Sequence, residues 1–327
     1  MKAMVITELG DSNVFNLQER ETPKVKPNHI LIEVKATSVN PLDTMLRATQ
    51  TPWSENLPEI LHGDVAGIVA DVGENVKSFK IGDEVYGCAG GIAGINGALA
   101  QYMLVDASLM ALKPKTLSMK QAAALPLVSI TAWEALHDKL KVGPQDNILI
   151  HGATGGVGHI AVQLAKVFGA VVSATVTPRN LEVANTLNAD NIINIEEQSV
   201  ADYVKLYTQG VGFDAVFDTV AGENIQRSFE AARFNGDVAT ILPVEDTLQV
   251  ALKSLSFHSV LMLIPLVHGI NRAYHGQILS NIANLVDAGK IKPLVDPSDF
   301  SIWEVAKAHE HYHSGRAVGK ITMTMKN

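Results

Sequence analysis

Residues Asn147–Ala170, NILIHGATGGVGHIAVQLAKVFGA, decide the fold. The first five, Asn147–His151, form a nearly continuous apolar run, the pattern of a parallel strand buried on both faces. Gly152, Ala153, Thr154, Gly155, Gly156, Val157 and Gly158 follow at once. Val157, Ile160, Ala161, Leu164, Ala165 and Phe168 then recur on one face of a helix. Strand, glycine turn and helix in direct succession are the arrangement that grips a pyrophosphate. The free N–H groups of the first helical turn and the helix dipole point at the anion, and glycines let the backbone come close. Residues 152–158 are therefore expected to bind a dinucleotide. The alternative, a plain tight turn, is disfavoured by the strand-to-helix context.

Downstream, strands and helices alternate with short connections. Strands are expected at Val171–Val176, Asn191–Ile195, Asp214–Asp218, Asp237–Leu242 and Ser259–Ile264. Helices are expected at Leu181–Leu187, Val200–Thr208 and Asn224–Ala232, and a long amphipathic one at residues 272–288. Such alternation predicts a doubly wound parallel sheet. Upstream, residues 1 to about 120 carry short strand-like runs, Ala3–Thr7, Ile30–Ala36, Ala66–Val72, Glu84–Gly87 and Gln101–Asp106, separated by turn residues. They predict a mostly antiparallel β domain. Helices are expected at Met119–Leu125 and Ser129–Lys139, and Ala317–Thr324 is β again. The fold class is α/β, with a β domain at the ends of the chain and a dinucleotide-binding centre.

The chain's 327 residues suggest about two domains, and a hydrophobic content of 47% allows a large core. A net charge of −8 without a basic block argues against nucleic acid and against an anionic membrane surface. No apolar run approaches a membrane span, and the start, MKAMVITELG, lacks the apolar core of a signal peptide. Cys88 is the only cysteine, which excludes an intrachain disulfide and a cysteine-built zinc site. A cytoplasmic protein is the expectation.

Several motifs together resemble the medium-chain dehydrogenase/reductase superfamily, and within it the zinc-independent quinone oxidoreductases, the zeta-crystallin-like group. They are Ser38-Val39-Asn40-Pro41-Leu42-Asp43, His62-Gly63-Asp64-Val65-Ala66-Gly67, residues 79–87, Ala122-Ala123-Ala124-Leu125-Pro126, Thr131-Ala132-Trp133, the glycine turn and Gly319-Lys320-Ile321. The resemblance runs almost end to end. It implies a GroES-like domain from residues 1–120 and 268–327, and an inserted Rossmann domain from residues 121–267. It also implies hydride transfer from a nicotinamide cofactor to a quinone or an α,β-unsaturated carbonyl. Zinc-dependent relatives have a cysteine near the position of Asn40 and a Gly-His-Glu triplet where this chain reads His62-Gly63-Asp64, so no metal is expected here. An enoyl-thioester reductase, a zinc alcohol dehydrogenase and a low-turnover NADPH-binding sensor are the rival readings.

NAD-preferring Rossmann domains carry an acid at the end of the second strand. Here that strand ends Ala174-Thr175-Val176-Thr177-Pro178-Arg179, without a carboxylate. A guanidinium suits a 2′-phosphate, so NADPH is the expected cofactor, with Thr175, Thr177 and Arg179 around its phosphate. The alternative for Arg179 is a solvated residue at a helix start. Relatives with a tyrosine near the position of Ile195 cover this phosphate; the tyrosine is missing here. Thr131 resembles a nicotinamide-side contact. Thr219, Val220 and Ala221, and Leu242, Pro243 and Val244, follow strands whose carboxyl ends should line the cofactor cleft.

On the substrate side, Asn40 is the candidate hydrogen-bond donor to a developing oxyanion. Asp43 is expected to act as an acid, to orient substrate or to serve structure. Met45 stands where related quinone reductases often have a tyrosine, which favours an apolar pocket. Trp53 is expected either to stack on a flat acceptor or to pack on the β domain. His62 is expected to be a satisfied structural histidine, with donation to substrate as the alternative. His309-Glu310-His311-Tyr312-His313 matches H-E-x-x-H. Gly315 soon after leaves little helix, so a surface segment with at most adventitious metal binding by His309 and His313 is expected. Cys88 is expected to be buried and inert. The run Ser259–Val267 reads as an exposed edge strand that a homodimer would cover.

Overall fold

The computed structural model describes residues 1–326. In chain order, β1 (Lys2–Val5), β2 (Asn16–Glu19) and β3 (His29–Ser38) lead to α1 (Pro41–Ala48). Then come β4 (Asp64–Val72), β5 (Glu84–Cys88), β6 (Tyr102–Asp106), β7 (Met110–Leu112), α2 (Met119–Ala122) and α3 (Pro126–Trp133). The alternating centre follows with β8 (Asn147–His151), α4 (Gly156–Val167), β9 (Val171–Val176), α5 (Leu181–Ala184), β10 (Asn191–Asn194) and α6 (Val200–Thr208). It continues with β11 (Phe213–Asp218), α7 (Asn224–Ala231), β12 (Ala232–Thr240), α8 (Leu248–Leu252) and β13 (Ser256–Ser259). The chain closes with α9 (Ile264–His268), α10 (Arg272–Asp287), β14 (Phe300–Ser301), α11 (Val305–His313) and β15 (Thr322–Thr324).

The described chain divides into two compact units. One, the β unit, is built from residues up to Leu127, Leu263–Gly289 and Pro293 onward; the other, the nucleotide unit, is Val128–Met262 with Lys290–Lys292. The β unit holds a seven-stranded sheet in the order β14-β15-β3-β4-β5-β7, with β6 paired to β3. Its central strands pair antiparallel, as in β3 with β4. Strand β15, from the far end of the chain, pairs with β3 through Thr322 opposite Ser38. The nucleotide unit holds a six-stranded sheet in the order β10-β9-β8-β11-β12-β13, parallel throughout. Ile148, Leu149 and Ile150 of β8 are fully buried, which is why that segment reads as an unbroken apolar run.

Several elements differ from expectation. The passage into the nucleotide unit falls after Leu127, because α2 packs on β3, β4 and β15 and so keeps its neighbours with the β sheet. Helix α2 ends at Ala122, and α3 begins already at Pro126 and continues as a π-helical turn over Glu134–Lys139. The run Ser259–Val267 is not a strand. The strand is Ser256–Ser259, and Pro265 opens α9 from its first turn. Proline has no N–H to give a ladder and suits a helix start, so the apolar run divides there.

Candidate functional site

The glycine turn joins β8 to α4, with Gly155 at the helix N-cap. Gly152 has a φ of +73°. A Cβ on Gly158 would lie 2.1 Å from the Gly152 carbonyl oxygen, so the first turn of α4 can pack on the turn only through glycine. Ala153 and Thr154 are buried, Gly155 is exposed, and Gly156 and Val157 are half-buried at the helix start. At that start the Gly155 amide donates to the Gly152 carbonyl at 2.9 Å, and the amides of Gly156 and Val157 are left open to an anion such as a pyrophosphate.

The neighbouring loops follow from hydrogen bonds. Asp218, at the end of β11, accepts from the amides of Val220 at 2.9 Å and Ala221 at 2.8 Å. Thr219 donates to the His151 carbonyl at 2.6 Å. Val220 is left exposed beside the glycine turn, while Ala221 is buried. Leu242 and Pro243 are exposed and Val244 packs against the core of the unit. Thr131 is buried in the same unit.

At the end of β9 the expected phosphate ligands separate. Thr175 is buried, with its hydroxyl at 3.0 Å from His151 Nδ1 and accepting from the Gly152 amide at 3.3 Å. Through these contacts it braces the turn. Thr177 carries a buried hydroxyl that has no partner, and Arg179 is exposed and joins no ion pair within the described chain. An orphaned hydroxyl beside a free guanidinium fits an anionic ligand.

The β unit brings Asn40, Asp43 and His62 together, but below the surface. Asn40, Asp43, His62, Asp64, Arg47, His309 and Lys320 are all buried. Asp64 Oδ2 accepts from Ser38 Oγ at 2.6 Å and from Asn40 Nδ2 at 2.9 Å, and its Oδ1 accepts from the Leu127 amide at 2.9 Å. Lys320 Nζ donates to Asn40 Oδ1 at 2.5 Å and to the Val39 carbonyl at 2.8 Å, and lies 3.6 Å from Asp64 Oδ2. Both ends of the Asn40 amide are thus engaged inside the protein. Asp43 accepts from the Asn40 amide N–H at 2.8 Å, across the first turn of α1. Burial raises the Asp43 carboxyl above its ordinary range, against the pull of His62. Met45 is exposed on α1, and Trp53 is half-buried in the following loop.

A second chain of hydrogen bonds adjoins the first. His62 Nδ1 lies 2.8 Å from the Ser38 carbonyl, which can only accept, so Nδ1 carries the proton. In a neutral ring Nε2 then accepts, and its partner is His309 Nε2 at 2.9 Å, which must donate. That leaves His309 Nδ1 as the acceptor for Arg47 Nε at 3.2 Å. The tautomers assigned from these partners are mutually consistent with two neutral histidines. Burial lowers the pKa of both, His309 to about 2. His309 is therefore no surface residue: α11 runs through Val305–His313, the residue is fully buried, and both of its ring nitrogens are taken. His313 is exposed on the same helix. Both ring nitrogens of His62 likewise have partners inside the protein.

Sequence reasoning gave no role to Ser38, Arg47, Asp64 or Lys320. Lys320 had a signal: a lysine between Gly319 and the buried run Ile321-Thr322-Met323 must bury its amine or break the strand. Cys88 is buried, and desolvation with the nearby Asp64 raises its thiol pKa, so the thiolate nucleophile is suppressed.

Known proteins place the chain. Residues 26–115 match the alcohol dehydrogenase GroES-like domain, and residues 187–322 match the family described as zinc-binding dehydrogenase. The 2-methylene-furan-3-one reductase of Solanum lycopersicum is 34% identical, over 99% of this chain and 79% of that protein. The chloroplastic NADPH-dependent alkenal/one oxidoreductase of Arabidopsis thaliana is 32% identical over the same shares. The solved quinone oxidoreductase of Coxiella burnetii has a TM-score of 0.84 at 28% identity, covering 100% of this chain and 99% of that one. The chain belongs to the medium-chain dehydrogenase/reductase superfamily, as a quinone oxidoreductase-like member. Its residues do not fit the metal in the name of one matching family. Among the described residues no three His, Cys, Asp or Glu side chains are grouped to hold a metal ion, and a catalytic zinc needs three protein ligands. No helix among them is long and apolar enough to cross a membrane.

Proposed function

We propose that this protein is an NADPH-dependent, zinc-independent reductase of quinones or α,β-unsaturated carbonyls. The observation that carries the reading is the pair of features in the nucleotide unit: the glycine cradle at α4, and a β9 end that offers Thr177 and Arg179 and no carboxylate. NADPH, when bound, supplies the hydride. The amides at Gly156 and Val157 would hold its pyrophosphate. Arg179 and the Thr177 hydroxyl would hold the 2′-phosphate. Thr131, Val220, Ala221 and the loop Leu242-Pro243-Val244 would bound the cofactor.

A polarised acceptor asks little more of the protein than orientation and exclusion of water, with the proton coming from solvent. The internal bonds of Asn40 and Asp43 support a positioning role at the start of α1, which carries exposed Met45, over direct donation to substrate by Asn40 or acid catalysis by Asp43. Met45 and Trp53 would give a flat acceptor an apolar surface. The relatives named for a furanone and for alkenals and alkenones support the enone side of the reading; the solved relative named for quinones supports the other.

A cytoplasmic homodimer completes the proposal. Strand β13 lies at the edge of its sheet, and Leu248, Leu252 and Leu261 near it in sequence are exposed. Light scattering that finds only monomer at micromolar concentration would remove the dimer. The activity is tested on chelator-treated protein, by loss of NADPH absorbance with a naphthoquinone and a 2-alkenal in parallel and NADH as control. Turnover of either acceptor is expected. Tight NADPH binding without turnover would sink the reductase reading for these acceptors and favour a sensor.

A further inference from the structure

We infer that Lys320 is the resident cation of the β unit, and that its ammonium group makes a metal ion beside Asn40 and Asp64 redundant. The inference rests on donor chemistry within one unit and is independent of the cofactor reading.

The chain goes out of its way to deliver this amine. Gly319 has a φ of +75°, and a Cβ there would lie 2.2 Å from the Leu294 carbonyl oxygen. Glycine lets the backbone turn against Leu294, and the Lys320 amide then donates to that carbonyl at 2.9 Å, while its own carbonyl accepts from the Asp296 amide at 2.9 Å. The main chain is fixed on both sides, and the side chain is directed inward to the Val39 carbonyl, Asn40 Oδ1 and Asp64 Oδ2. These are three oxygens from two neighbouring segments, the kind of shell a small cation seeks.

The charges around it agree. Asp64 is fully buried and spreads its charge over Ser38, Asn40, the Leu127 amide and Lys320. The two nearby histidines are held neutral by their hydrogen bonds, so neither answers the carboxylate. Burial lowers the lysine pKa, and the carboxylates of Asp64 and then Asp43 offset part of that effect. Lys320 is the one cationic side chain within salt-bridge distance of Asp64 among the described residues. A zinc ion entering the cage would meet that ammonium at close range and find an amide in place of a thiolate at Asn40. Its approach is disfavoured by charge and by ligand type.

The test compares zinc binding and thermal unfolding, with no turnover readout, so that its failure is separate from failure of the proposed activity. Wild-type protein should take up no zinc in equilibrium dialysis and should unfold at the same temperature with and without chelator. Lys320→Met keeps the length and apolar stem and removes the charge; its midpoint should fall by several degrees, or the protein should fail to accumulate. Lys320→Met combined with Asp64→Asn removes both charges and should recover most of the loss. One equivalent of zinc that raises the wild-type midpoint and is lost in Asp64→Asn would overturn the inference. So would a Lys320→Met midpoint equal to wild type, or a double variant no better than Lys320→Met.

Discussion

The glycine turn and the lysine network solve opposite problems. The turn is seven consecutive residues, and its chemistry is backbone: open amides at Gly156 and Val157, with a side chain forbidden at Gly158. The network is centred on side chains, with the Val39 carbonyl and the Leu127 amide as added partners, and its bonds join residues 24 and 280 positions apart in the chain. A local device is limited by shape, because the backbone must approach itself. A distant device is limited by charge, because a buried ion must keep its partner. The two regions should therefore break in different ways, and the difference can be measured.

The largest effect belongs to charge. Asp64→Ala would leave the Lys320 ammonium buried without a carboxylate, which costs about 3–5 kcal/mol for a pair broken on one side. Urea unfolding should show that loss in the β unit's transition. If Asp64→Ala unfolds like wild type, the network is ornamental to stability and the contrast fails. Shape comes next. Gly158→Val should cost roughly 3 kcal/mol of cofactor binding, about 100-fold in Kd, since the overpacked turn can no longer present its amides. A fluorescence titration with NADPH reads this, and near-ultraviolet circular dichroism reports whether the fold persists. Unchanged affinity would remove the turn from the cofactor site.

The two histidines sharpen the comparison through pH. In the unfolded chain each titrates near 6.5, and in the folded chain burial depresses both, His309 to about 2. The unfolded state then binds more protons below pH 6.5, so stability is full above that pH and falls as the pH drops towards the folded values. At pH 5 the loss is about 2 kcal/mol for His309, and His62 adds to it in the same direction. His309→Gln keeps one donor and one acceptor for His62 and Arg47 but cannot ionise, so its stability should fall less between pH 7 and pH 5. An identical loss in the variant would show that the His62–His309 bond does not govern acid stability.

The same contrast explains what could be read from the chain. The glycine turn, β8 and α4 were legible because strand burial, turn and helix periodicity are properties of adjacent residues. Asn40, Asp43 and His62 were legible as positions, through the resemblance, but their roles were not. Whether an amide is free or engaged depends on Lys320, which reaches it only once β15 pairs with β3. His309 was misread for the same reason: its local sequence describes a short polar helix, and only the fold supplies His62 and Arg47 as partners. The edge strand was misplaced because an apolar run carries no direction, and Pro265 was the signal that it had ended.

The smallest predicted effect lies at the border between the two kinds of device. The end of β9 is local in sequence, yet its specificity comes from side chains. Arg179 is exposed, so its interaction with a phosphate is screened by water and salt, and its removal should cost no more than about 1.4 kcal/mol, a factor of about 10. Arg179→Ala should raise the KM for NADPH by about that factor and leave the KM for NADH unchanged, because only one cofactor carries the 2′-phosphate. The effect should shrink at high ionic strength, as a screened charge requires. Thr177→Val, which removes the unpartnered hydroxyl, should act in the same direction and more weakly, and its effect should survive salt. If both variants slow NADPH and NADH alike, these residues shape the loop and do not read the phosphate, and cofactor preference must be sought elsewhere in the nucleotide unit.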